Sequence, residues 1–139
     1  MKRHIQTILG DPERGDGHNA AGRPGDCWRT AIACITDADS PEDVPHFVEQ
    51  DEDGHGNWYL LTLDWLMHKF GETTRIPWVD SLDKITDPPE YMIACGPSPR
   101  GNFDHVVVID SEGNLVHDPH PSQAGLTATE QIFRIEEKK

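Results

Sequence analysis

An α+β fold is predicted by three observations. Helix signals cluster between Asp26 and Gly71, strand-like runs separated by turns occupy residues 91–135, and 139 residues suffice for one domain and no more. A chain of this length can bury roughly 68% of its extended surface. Its hydrophobic fraction of 35% and mean hydropathy of -0.63 predict a modest core. Four Trp, four Phe and two Tyr concentrate the apolar area at few positions.

Residues 2–9 read as a short opening strand. Residues 10–25 hold five glycines, two prolines and many polar groups, the composition of a long loop inserted before the helices, read equally as a surface flap near Cys27 or as a disordered insertion. Asp26 is placed to N-cap a helix starting at Cys27, and Ala31, Ile32, Ala33 and Ile35 carry its apolar content. Ser40-Pro41-Glu42-Asp43 combines a capping residue, proline at the first helical position and acids in the first turn; Pro45 limits that helix to about one turn. Phe47 then anchors the chain to the core, and residues 50–57, acidic and glycine-bearing, read as loop.

The strongest amphipathic helix covers residues 58–70. Trp58, Leu61, Trp65 and Leu66 recur at three- and four-residue steps, a stripe read as core packing, and Gly71 can end the helix in a left-handed cap. Residues 73–78 read as a short strand and 91–95 as another. Residues 96–102 form a proline-stiffened loop, 105–109 a third strand, and the turn Ser111-Glu112-Gly113-Asn114 leads into a fourth at 115–118. Residues 131–135 can close an edge. The expectation is helices first, then a mainly antiparallel sheet.

Charge and cysteine usage narrow the function classes. With 12 basic and 25 acidic residues the formal charge is -13, which repels polyanions, so direct nucleic-acid binding is not expected and a basic protein is the more natural macromolecular partner. Three cysteines without a secretion signal at Met1-Lys2-Arg3-His4-Ile5-Gln6 fit free thiols in a reducing compartment, and no run nears the roughly 20 apolar residues that span a bilayer. The expected location is cytoplasmic, away from membranes.

The chemistry-bearing pattern is a thiol, Cys27, at a helix start, followed by His105 on a strand and Asp118 on the next. A helix N-terminus favours a thiolate through its free N–H groups and dipole, and histidine is the natural base for a thiol near neutral pH. If Asp110 pairs with Leu115, His105 lies opposite His120, Asp118 falls on the same sheet face, and His117 points to the other; a slipped register would change that assignment. The backbone N–H of Cys27 and the Gln6 side chain are candidate donors to a developing oxyanion. Cys34 and Cys95 read as core. A tetrahedral zinc site is the competing use of Cys and His, but no close thiolate pair exists and His117 and His120 lack one nearby. His18, His46, His55 and His68 read as exposed or locally hydrogen-bonded. Residues 96–101 lack a phosphate-loop pattern, so neither a nucleotide nor any other cofactor is expected, and Arg100 reads as shaping a substrate entrance or pairing with acids.

Taken together, Ile5-Gln6-Thr7, Gly25-Asp26-Cys27-Trp28, Pro41-Glu42-Asp43-Val44-Pro45-His46-Phe47, Ala94-Cys95-Gly96-Pro97-Ser98-Pro99-Arg100-Gly101, Asp104-His105-Val106-Val107-Val108 and Val116-His117-Asp118-Pro119-His120-Pro121-Ser122 cover most of the chain. In these blocks it resembles small bacterial and bacteriophage proteins of the papain-like cysteine-peptidase fold, in particular the C39-like and NlpC/P60-like groups. The resemblance implies Cys27 as nucleophile, His105 as general acid/base, Asp118 as the residue orienting it and Gln6 as an oxyanion donor. It implies a peptide, amide or isopeptide substrate handled through a thioester intermediate. The insertion at residues 10–25 departs from the compact C39-like pattern. A noncatalytic papain-like binding protein with an acidic surface is the alternative.

Overall fold

The computed structural model describes residues 1–51 and 56–137. Its helices are α1 (Cys27–Ile35), α2 (Phe47–Gln50) and α3 (Asn57–Phe70), with a 3-10 turn at Pro41–Asp43 between the first two. The strands are β1 (Thr74–Arg75), β2 (Trp78–Val79), β3 (Tyr91–Pro97), β4 (Asp104–Asp110), β5 (Leu115–His117), β6 (Gln131–Phe133) and β7 (Glu136–Glu137). The protein is α+β, with helices first and strands after.

α1 forms where the glycine-rich segment gives way to an apolar run, and it becomes the centre of the molecule: Trp28, Ala31, Ile32, Ala33 and Cys34 are all buried. Its start is held differently from the expected cap. The Asp26 carboxylate makes no cap bond and instead accepts hydrogen bonds from the Thr7 and Ile8 backbone N–H groups, the Thr7 hydroxyl and the Arg29 guanidinium. Partners distant in sequence outcompete the local cap. The opening segment is consequently tied to the helix start, but it is not the expected strand: Lys2 donates to the Cys34 carbonyl and Gln6 to the Pro119 carbonyl, single bonds rather than a ladder.

The Ser40 turn carries the expected capping box. Phe47 is buried as anticipated, within a one-turn helix not foreseen by the sequence reading, and residues 52–55 of the expected loop, including His55, lie outside the described residues. α3 matches its expected span almost to the residue. Its inward face holds Trp58, Thr62, Trp65 and Leu66, whereas Leu61 is on the exposed side. The Trp28 indole N–H donates to the Thr62 hydroxyl, so a polar position joins the packed face because it satisfies a buried donor. Gly71 ends α3 at φ 122 and ψ 153, a positive-φ stop that is not the left-handed cap expected.

The main sheet has the order β2-β6-β3-β4-β5, with every neighbouring pair antiparallel. Ile93, Val106, Val108 and Phe133 face α1 and the aromatic cluster, while Met92, Ala94, Val107, Ile109 and Ile132 form a second apolar layer on the opposite face with Leu82, Ile85 and Leu126. Two expectations are corrected. The strand read at residues 73–78 divides at Pro77, which has no N–H for a ladder; its halves pair with different strands, β1 with β7 and β2 with β6. The segment from Gln131 is not an edge, because β6 lies between β2 and β3.

The β3–β4 pair sets up the site. Gly96 pairs with His105, and a Cβ on Gly96 would stand 1.9 Å from the Ala128 carbonyl oxygen. Only glycine allows the 126–130 segment to cross there. Between β4 and β5, Val108 pairs with His117, the register expected from the turn; a bulge then brings Ile109 opposite Leu115.

Candidate active site

A cavity of about 290 Å3 opens where the N-terminus of α1 meets the ends of β3 and β4. Cys27, His105, Gln6 and Cys95 line it together with aromatic walls from Trp28, Trp58 and Phe103. The glycine-rich segment forms its outer wall through Gly10, Gly17 and Gly25, as the flap reading anticipated. That segment is held by backbone bonds from Asp11 to His18 and from Gly25 to Gly17, and by the buried His46 ring, whose Nε2–H donates to the Pro24 carbonyl. His46 is therefore neither exposed nor locally bonded, contrary to its sequence reading. His18 sits on the flap beside Asp16, and His68 is exposed with a bond to the Asp64 carbonyl.

His105 and Asp118 form the most buried polar pair of the site, 2% and 0% exposed. His105 Nε2–H donates to Asp118 Oδ1 at 2.7 Å. The ring nitrogen not engaged by Asp118 is Nδ1, and Cys27 lines the same cavity as the ring and acts on it electrostatically. Burial opposes a charge on His105, yet the hydrogen bond to Asp118 and the electrostatic influence of Cys27 prevail and raise its pKa to about 9. His117 faces away and donates to the His4 carbonyl.

Asp118 is held on every side. The same Oδ1 accepts the His120 N–H at 2.8 Å, and Oδ2 accepts the Gly125 N–H at 2.8 Å. Burial works against its ionised form, but these bonds and the one from His105 keep its pKa below the usual carboxylate range. Gly125 presents its N–H from φ 73, a conformation that favours glycine. Gln123 completes the turn: its amide donates to the carbonyls of Asp118 and His120 and accepts the Asp118 N–H. Sequence reasoning missed both residues. The available signal was a glutamine and a glycine five and seven residues after the acid.

Gln6 is buried at the cavity, as required of an oxyanion donor, but one N–H of its amide is donated to the Ile8 carbonyl at 2.8 Å. An amide nitrogen carries two hydrogens, so one donor remains beyond that bond. Cys27 opens α1, and its own N–H is among the helix-start donors that have no carbonyl partner inside the helix.

The other thiols differ. Cys34 is buried in the core, where desolvation raises its pKa. Cys95, expected in the core, is half-buried in the cavity wall; burial, then the negative charges of Asp104 and Cys27, push it up to about 12. It stays protonated beside Cys27. Among the described residues no group of three or more His, Cys, Asp or Glu side chains could hold a metal ion, and no helix is long and apolar enough to cross a membrane. Compared with protein-family models, curated proteins and solved structures, the chain finds no match in any of the three.

Proposed function

We propose that this chain is a cysteine-dependent hydrolase of peptide, amide or isopeptide bonds, built on a papain-like arrangement of a helix-borne thiol against a strand-borne histidine. The observation that carries this reading is one imidazole that is hydrogen-bonded to a buried carboxylate and lines the same cavity as a thiol at a helix start. Asp118 fixes the ring through Nε2 and stabilises its protonated form. The Cys27 proton rests on Nδ1 of the charged ring, and the sulfur, as thiolate, attacks the substrate carbonyl carbon.

The resulting oxyanion meets the Cys27 N–H and the second N–H of Gln6. His105 then protonates the leaving amine, the C–N bond breaks and a thioester to Cys27 remains. A water molecule attacks that thioester while giving a proton to His105; the acid product leaves, and the charged ring beside the free thiolate is restored. With an amine in place of water the same intermediate gives acyl transfer.

Treatment with a limiting amount of iodoacetamide, followed by peptide mass spectrometry, tests this reading. Cys27 is expected to react selectively over Cys34 and Cys95, and His105→Ala should slow its reaction by about 10²-fold or more. Reaction of all three thiols at one rate, and only after unfolding, would favour a binding protein that keeps the frame without the chemistry.

A further inference from the structure

Four of the seven arginines contact a carboxylate, and Arg100 is not among them. Arg14, Arg23, Arg29 and Arg134 each contact a carboxylate. Among the described residues no carboxylate lies within ion-pair distance of Arg100, and its Nε–H is buried without an acceptor. In a chain with 25 acidic residues such a vacancy is not for want of partners.

Its surroundings hold the guanidinium in place. Arg100 lies in the β3–β4 connection, where its N–H donates to the Ser98 hydroxyl and Ser98 N–H to the Phe103 carbonyl. Its guanidinium carbon is 5.4 Å from the centre of the Phe103 ring, a cation–π contact that fixes the planar fork. The residue borders both the cavity containing Cys27 and a second one of about 270 Å3 lined by His120; Gly10, Gly17 and Phe103 also border both. Its charge is felt at His120, and those of Asp118 and Cys27 are felt at Arg100. Two carboxylates share the catalytic cavity: Asp16 is already paired with Arg14 at 3.0 Å, and Asp104 is exposed at the rim.

We infer that Arg100 is a specificity residue that receives a substrate carboxylate at the junction of the two cavities, so that the bond presented to Cys27 is one flanked by an acidic group. A planar guanidinium whose terminal nitrogens make no hydrogen bond among the described residues matches a carboxylate in two-point geometry, and partial burial strengthens the pairing. Asp104, exposed at the rim, works against acidic substrates at long range, so the carboxylate must reach the fork itself. The acidic group is either a chain-terminal carboxylate or an acidic side chain. This inference rests on the hydrolase reading for the meaning of the site, though not for the binding event.

Two measurements test it. In the first, Cys27 is alkylated with iodoacetate and with iodoacetamide, which differ only by carboxylate against amide, and the ratio of the two rates cancels changes in sulfur reactivity common to both. Arg100→Gln should lower that ratio about 10-fold, the low end of what a hydrogen bond to a charged group supplies, and Arg100→Lys should keep most of it. A ratio unchanged within about twofold, against that expected loss, overturns the inference.

In the second, the Arg100 Nε–H resonance is followed by NMR while the intact protein is titrated with N-acetylglycinate, with the α-amide of N-acetylaspartate, or with neutral N-acetylglycinamide. A saturable shift with a carboxylate and none with the neutral amide is expected; which acid saturates distinguishes a terminal from a side-chain carboxylate. No saturable shift, or an equal one with the neutral compound, contradicts the inference. Saturation by a carboxylate in a protein whose Cys27 is inert would leave the carboxylate site standing and remove the hydrolase reading.

Discussion

Asp118→Ala is expected to lower unfolding stability by about 3–5 kcal/mol, the range for removing one partner of a buried ion pair, and to slow any Cys27-dependent turnover by about 10²–10⁴-fold. The size of the first effect follows from what the carboxylate holds: the His105 ring and the N–H groups of His120 and Gly125, at a residue with no exposed surface. Alanine leaves all three donors without an acceptor. Asp118→Asn separates folding from chemistry, because its carbonyl oxygen can still accept from His105 and His120 while its NH2 group meets the Gly125 N–H, donor against donor. Denaturant unfolding should rank wild type above Asn and Asn above Ala. Equal midpoints for the wild type and Ala would mean that the buried pair contributes nothing.

Stability should also fall on the alkaline side, and His105 begins that fall. Its pKa rises from about 6.5 in the unfolded chain to about 9 in the fold. A raised pKa contributes stability that is complete below the unfolded value and lost as pH climbs through the folded one. The interval corresponds to about 3 kcal/mol. Unfolding free energies should therefore decline between about pH 6.5 and pH 9, and His105→Gln should flatten this part of the profile. Cys95, pushed to about 12, adds its own loss only above the ordinary thiol range near pH 8.5. Asp118 acts at the other end: its depressed pKa contributes stability present above about pH 3.9 and lost as pH falls through the lower folded value. A wild-type profile flat from about pH 6.5 to pH 9 would contradict a charged His105.

Local signals carried much of this arrangement. The change from glycine-rich to apolar sequence at Asp26-Cys27 marks the start of α1, and the Ser111-Glu112-Gly113-Asn114 turn implies the register that brings His105 and Asp118 together. Long-range competition accounts for what was illegible. Asp26 looked like a cap because its partners Thr7, Ile8 and Arg29 assemble only in the fold. The β6 segment read as a strand, but nothing local places it between β2 and β3. Cys95 has the apolar neighbours of a core residue, and only the end of β3 at the cavity gives it a different setting. The bond from Gln6 to the Ile8 carbonyl is likewise decided by a backbone bend that residue types do not specify.

The claim on which the mechanism rests is that the sulfur of Cys27 and the ring of His105 act on one proton. Titrating the ring nitrogens of His105 by 15N NMR, in the wild type and in Cys27→Ala, measures this directly. The ring should remain charged up to about pH 9 in the wild type and lose its charge about one to three pH units lower once the sulfur is gone. Identical titrations in the two proteins would show that thiol and imidazole are not coupled, and the proposed chemistry would have no general base.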